Sequence, residues 1–481
     1  TRINMINIDK IQTIKQDSSV VFVCNDSNIN SLNEGILSKQ QIEYIKKEYA
    51  ERESKFFSFN ELSKYVIVCV VKEDKQEYKA KEQYRKLGAK VLEFCDENYI
   101  SDLQIDSDCS KEKILAFTEG MMIASYIFDK YKTDEKRCIH PFDNLHIAHK
   151  EIAKEDIEFL RVVIEATEKS RNLVNEPVMV INAESLAQNF VSMGQEAGIN
   201  VEVWNKEKIE KEKMGGILAV NKGSIDPPTF TIMEYKPENH KNDKPIVLVG
   251  KGIVYDTGGL NIKTDNYMND MKDDMSGSAT MACTIYAAAR LNLPLHIIAL
   301  MPATDNRPNG NAYCNGDIIN MYDGTNVEVI NTDAEGRMIL ADALAYAKQL
   351  NPELVIDAAT LTGAAQRAIG PYGIVAMHQD AENYMQALKK AGENVYERIA
   401  EFPFWSEYDD CIKSEIADIK NSGESFAGMI TAGKFLAFFT NYPYIHLDIA
   451  GVSFTTKKDS YNRLGATGYG IRMLVDFLRN F

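Results

Sequence analysis

No stretch of about 18 consecutive apolar residues occurs in this 481-residue chain, so no helix is expected to cross a membrane. The segment Thr1 to Lys10 is polar and lacks the apolar core of a secretory signal. The eight cysteines are scattered and never form a C-x-x-C pair, so they are expected to be reduced, mostly buried thiols. Positive charge is also short: 54 Lys and Arg face 70 Asp and Glu, a formal net charge of −16. Neutralising phosphates with Lys and Arg supplies most non-specific nucleic-acid affinity, so nucleic acid is not an expected partner. Internal repeats and low-complexity tracts are absent. A cytoplasmic enzyme fits these exclusions.

What is present is ordinary globular composition, 45% hydrophobic and 26% charged, in a chain too long for one core. The first third alternates strand-like and helix-like segments. Val20 to Cys24, Tyr65 to Val71 and Lys90 to Phe94 have the apolar runs of buried strands, and Leu115, Met122 and Tyr126 share a helical face. His146 and His149 are spaced for one helical turn; without acidic or thiol neighbours they are expected to be structural. Ile157, Leu160, Val163 and Ile164 mark a connecting helix that stops before Pro177. Beyond it, Pro245 to Val249, Leu295 to Leu300, Val327 to Ile330, Leu354 to Ile356 and Ile445 to Ile449 read as strands. The stripes Ala279, Ala282, Cys283, Tyr286 and Leu340, Ala343, Leu344, Ala347 read as helices. The expected class is α/β: a small N-terminal α/β domain (1–150), a connecting helix (151–176) and a larger α/β/α domain (177–481) with a mixed, largely parallel sheet. Ligands of such sheets collect beyond the carboxyl ends of the strands.

Three segments put charged residues at such ends: Lys251 to Lys263, Asn269 to Gly277, and Asn331 to Arg337. In the third, Asp333 and Glu335 lie two residues apart and face the same side if the backbone stays extended. Unpaired carboxylates so placed repel, and one would hold its proton. A divalent cation removes that penalty, and Asp256 and Asp274 would raise the carboxylate count to four. Blander readings exist. Asp333 and Glu335 can serve the dipole of the following helix. Asn331 to Asp342 loosely mimics a calcium loop but lacks its terminal glutamate. The glycine-rich run Lys251 to Gly259 suggests a phosphate cradle but does not follow the phosphate-loop order.

The ordered motifs decide between these readings. Asn331 to Arg337 (NTDAEGR), Lys251-Gly252-Ile253 followed by Asp256-Thr257-Gly258-Gly259, Met271 to Met275, Ala359 to Gly363 and Arg171 to Pro177 together resemble the leucyl aminopeptidase family, peptidase family M17. The resemblance runs through most of 171–475 and is weaker in the first 150 residues, which it makes macro-like. Tyr255 and Thr257 replace the family's Phe and Ser beside Asp256, and Ser276 its Gly; none is an expected ligand.

The resemblance implies a two-metal aminopeptidase that removes leucine-like and other N-terminal residues from peptides. One divalent ion (Zn or Mn, possible also for Mg) would be held by Asp256, Asp333 and Glu335, and a second by Lys251, Asp256, Asp274 and Glu335. Attack would come from a hydroxide bridging the two ions. Lys263 would stabilise the oxyanion, and Arg337 would hold a bicarbonate ion acting as general base. Met271, Thr360, Leu361 and Gly363 would line the substrate site. His446 and Asp448, on a buried strand, are expected to be structural or to support the site from behind the ligands, not to bind metal themselves. The family also implies a homo-hexamer. Alternatives are a cysteinylglycine-type dipeptidase, an additional DNA-binding role as in some bacterial relatives, and an inactive scaffold; the last needs a missing ligand, and every ligand position is filled.

Overall fold

The computed structural model describes residues 5–32, 35–53, 55–134 and 140–481. The chain divides into two units, Thr1–Glu165 with Lys457–Arg463, and Ala166–Thr456 with Leu464–Phe481. The division falls inside the helix Lys154–Asn175.

The first unit is built on a six-stranded sheet in the order Asn7–Lys10, Asn144–Ala148, Asp102–Ser107, Val20–Asn25, Tyr65–Val71, Phe56–Asn60. All neighbours are parallel except the last pair. Val20–Asn25 and Tyr65–Val71 are apolar on both faces because both faces are covered, Val21 and Val23 in one core and Val20 and Phe22 in another. Lys90 to Phe94 is a correction. It lies inside the helix Glu77–Glu97, where Tyr84, Val91, Leu92 and Cys95 form one buried face. A five-residue apolar run looks alike in a strand and in a buried helix, and the longer spacing decides. His146 is also not helical. It sits on the strand Asn144–Ala148, where its Nδ1 meets Asp9, and His149 Nε2 is 2.9 Å from the Cys109 carbonyl. The two histidines therefore have separate, structural partners.

The second unit holds a nine-stranded mixed sheet. Its order is Ile399–Glu401, Ile374–Gln379, Tyr444–Asp448, Leu354–Ala359, Ile246–Gly250, Ile297–Asn306, Thr229–Tyr235, Asn200–Trp204, with Gly252–Asp256 also pairing to Ile297–Asn306. The centre, from Tyr444–Asp448 through Ile297–Asn306, is parallel, and antiparallel strands close the flanks. The expected mixed, largely parallel sheet is what forms. Val247, Val249, Leu300 and Val355 pack on one face with Ile339, Leu340 and Leu344 of the helix Glu335–Ala347. The helix Ser276–Arg290 packs on the same central strands outside that core, so helices cover both faces. Burying each such side chain contributes roughly 1.5–3 kcal/mol, which anchors the central strand Ile246–Gly250 from which Lys251 emerges. The expected strand Val327 to Ile330 is instead the short Asn326–Glu328 of a separate three-stranded sheet, and the segment 331–337 follows it.

Of the cysteines, Cys24, Cys69, Cys95, Cys109 and Cys283 are buried free thiols and Cys314 is exposed; Cys138 lies outside the described residues. No helix among the described residues is long and apolar enough to cross a membrane.

Candidate metal centre

Lys251 occupies the single position between the strands Ile246–Gly250 and Gly252–Asp256. Its N–H donates to the Ala358 carbonyl at 3.1 Å and its carbonyl accepts from Ser278 N–H at 2.8 Å, so the backbone is clamped on two sides. The side chain is thereby aimed past the strand ends. Its Nζ lies 2.7 Å from Asp274 Oδ1, 3.0 Å from Glu335 Oε1 and 3.0 Å from the Thr360 carbonyl. Gly336 lets Lys251 lie close against the helix: a Cβ there would fall 2.4 Å from Lys251 Cε and push the lysine out of its present position.

Asp256 ends its strand. Its Oδ1 accepts from Gly258 N–H and from Asn306 Nδ2, both at 2.8 Å. Gly258 has φ +85°, a left-handed turn that costs glycine little, and it returns the chain toward Lys263. Lys263 Nζ then bridges Asp256 Oδ2 at 2.8 Å and Asp333 Oδ1 at 2.7 Å. The segment 331–334 is not extended. It turns, and Glu335 is the first residue of the helix Glu335–Ala347. Asp333 and Glu335 still converge with Asp256, with one oxygen from each within 4.8 Å of the others. No side chain makes an N-cap hydrogen bond to that helix. Glu335 lies in its first turn, where the dipole favours an acid, while Asp333 lies ahead of it and pairs with Lys263. Of the neighbours Asp273 and Asp274, it is Asp274 that reaches Lys251 and accepts from Thr360 Oγ1 at 2.8 Å.

The electrostatics show a shortage of cations. Four carboxylates face two ammonium groups, a deficit of two positive charges. Burial, then Asp256, pushes Glu335 up to about 7. Burial likewise raises Asp274 and Asp333. Burial works against protonated lysine, yet the surrounding carboxylates outweigh it and hold both Lys251 and Lys263 above the ordinary lysine value. Asp274 Oδ2 and Glu335 Oε2 are buried with no hydrogen-bond partner. Orphaned carboxylate oxygens in such a place are expensive unless something positive completes them. The donor set, oxygen-rich with one amine, fits Mg²⁺, Mn²⁺ or Zn²⁺.

Arg337 is buried and donates to the Asn421 carbonyl at 2.9 Å, and burial pushes it down to about 10. Thr360 is buried and Leu361 and Met271 are half-buried. Gly363 is exposed and opens the helix Gly363–Ile369. Four supporting residues escaped the sequence reading. Asn306 Nδ2 ties Asp256 to the Thr332 carbonyl, and Tyr313 donates to the same carbonyl at 2.7 Å. Thr332 Oγ1 donates to the Gly258 carbonyl, and the Asn421 side chain clasps residues 330 and 331. Thr332 lies inside the heptad and was available as a signal; the other three are distant in sequence.

One other group among the described residues brings ligand-type donors together, His378, Glu382 and Glu401. Lys389 already pairs with Glu401 at 3.1 Å, and the buried Nδ1 of His378 has no partner to orient the ring. It is an ion-pair cluster.

A buried carboxylate cluster short of positive charge, with Lys251 and Thr360 supplied from the ends of parallel strands, has the make-up of a divalent-metal site. Residues 168–475 match the catalytic-domain profile of the cytosol aminopeptidase family. A Chlorobium limicola protein named "Probable cytosol aminopeptidase" is 42% identical over 384 residues, covering 76% of this chain and 75% of its own. One of the same name from Chlorobaculum tepidum is 40% identical over 442 residues, covering 84% and 85%. Among solved structures, a bottromycin maturation enzyme in complex with Mn matches with a TM-score of 0.85 at 25% identity, over 97% of this chain and 99% of its own. The chain belongs to the cytosol aminopeptidase family, M17, and is a metallo-aminopeptidase.

Proposed function

We propose that the chain hydrolyses N-terminal residues, leucine-like ones among them, from peptides in the cytosol, using two divalent cations. Asp256, Asp333 and Glu335, with the Asp333 carbonyl, would hold one. Lys251, Asp256, Asp274 and Glu335 would hold the other. The observation that carries this reading is the pair of orphaned oxygens, Asp274 Oδ2 and Glu335 Oε2, inside a cluster short of positive charge. Bound cations would supply Lewis acidity, acidifying water and polarising the scissile carbonyl.

The chain's own groups do the rest. Cations replacing the ammonium of Lys251 as counter-charge would make its neutral amine the favoured form, despite a reference pKa of about 10.4. Lys263 would then be freed from bridging Asp256 and Asp333 and could donate to the developing oxyanion. Arg337 is a buried guanidinium whose fork suits bicarbonate, which would serve as general base; no side chain in the cluster is free for that task. Thr360, Leu361, Gly363 and Met271 would line the peptide site, with the Leu361 carbonyl and Gly363 N–H serving peptide backbone. The manganese named with the bottromycin enzyme agrees with the donor set.

Metal analysis, with hydrolysis of leucine-p-nitroanilide and a dipeptide panel that includes cysteinylglycine, tests the proposal. About two divalent ions per chain are expected. Glu335→Ala should lose about 100-fold or more in kcat/KM. Near-normal rates in that variant would remove the centre, and a marked preference for cysteinylglycine would move the substrate to the dipeptidase alternative.

A further inference from the structure

The strand Leu354–Ala359 and the helix Gly363–Ile369 are joined by Thr360, Leu361 and Thr362 alone. One side of this connection touches the metal centre: the Thr360 carbonyl accepts from Lys251, and Thr360 Oγ1 donates to Asp274. The other side rests on a single carboxylate from the neighbouring strand Tyr444–Asp448. Asp448 is 1% exposed. Its Oδ1 accepts from Leu361 N–H at 3.2 Å, Thr362 N–H at 3.4 Å and Ala450 N–H at 3.2 Å. Its Oδ2 accepts from Thr362 Oγ1 at 2.7 Å, and that hydroxyl oxygen caps the helix by accepting from Ala365 N–H at 3.0 Å.

A buried carboxylate is tolerated where donors surround it, and here the donors are the peptide groups of the connection itself. Ala359 is the register partner of Asp448, so the carboxylate is fixed by the sheet next to the point where the chain leaves it. We infer that Asp448 is a positioning residue: it sets the conformation of residues 360–363 and so the alignment of the peptide backbone against the centre. This rests on the reading of that connection as the substrate site. Asp448 bonds Leu361 and Thr362 but not Thr360, so its loss displaces the Leu361 carbonyl and Gly363 N–H while Thr360 keeps its bonds to Lys251 and Asp274.

The test is steady-state kinetics on the metal-loaded enzyme with a leucyl dipeptide, alongside metal content. Asp448→Ala is expected to raise KM about fivefold or more, with a smaller fall in kcat and unchanged metal stoichiometry. Asp448→Asn should restore KM toward the parent value, because its Oδ1 keeps the three N–H donors and its Nδ2 can donate to Thr362 Oγ1. If Asp448→Ala does not fold, Thr362→Val carries the test with a smaller rise in KM. It exchanges the hydroxyl for a methyl and so removes one bond to Asp448 and the helix cap, while keeping both N–H donors. A folded variant with lower thermal stability and parental KM and kcat would overturn the positioning role. That result, with Glu335→Ala inactive, leaves the metal centre intact, whereas an active Glu335→Ala removes the centre itself.

Discussion

Lys251 and Lys263 stand where the carboxylates need positive charge, and at this scale the centre is a problem of counter-charge. Glu335 pushed up to about 7, with Asp274 and Asp333 also raised, makes the metal-free fold bind protons that the unfolded chain has released. Between the ordinary carboxylate value and about 7, the unfolded state therefore carries fewer protons, and stability falls as pH rises. Chelated protein is expected to lose melting temperature from about pH 5 to about pH 7.5, and saturating Mn²⁺ or Zn²⁺ should flatten that slope. Thermal melts with and without chelator measure it. An identical pH slope in both forms would separate these carboxylates from the metal.

The helix Glu335–Ala347 shows how an element carries a site. Its first residue is in the cluster, its face of Ile339, Leu340 and Leu344 is buried on the sheet, and Asp342 is tied to Ile217 N–H at 2.9 Å and Tyr322 N–H at 3.0 Å. Leu344→Ala should cost about 2–5 kcal/mol of unfolding free energy in denaturant titration, with metal stoichiometry in the folded fraction unchanged. Leu340, Ala343, Leu344 and Ala347 of this helix were legible in the sequence because their period is helical. Tyr65 to Val71 was legible because its run is continuous, short and rich in β-branched residues. Lys90 to Phe94 was not, since a short apolar run carries no period of its own, and His146 and His149 had a helical interval on a strand that ends between them. In the site, Asp256, Asp274, Asp333 and Glu335 were readable as motif residues. Asn306 and Asn421 were not, because an asparagine far away in sequence announces nothing until strand pairing brings it near.

For the whole molecule, a net charge of −16 argues against a polyanion partner, and the family resemblance implies a homo-hexamer. We propose that assembly here too. Light scattering is expected to give the mass of six chains. Duplex DNA is expected to show no retention at about 150 mM salt. A monomer mass, or salt-sensitive DNA binding that survives Glu335→Ala, would count against these two expectations respectively.

Local order and spacing, which the sequence holds by itself, determined the alternation of strands and helices and the residue types of the centre, since periodicity and motif order are properties of neighbours along a chain. Tertiary structure decided that residues 331–334 turn instead of extending, and that Asp448 reaches back to Leu361 and Thr362. Those outcomes depend on side chains meeting across strands far apart in sequence, where burial and hydrogen-bond satisfaction select the partner.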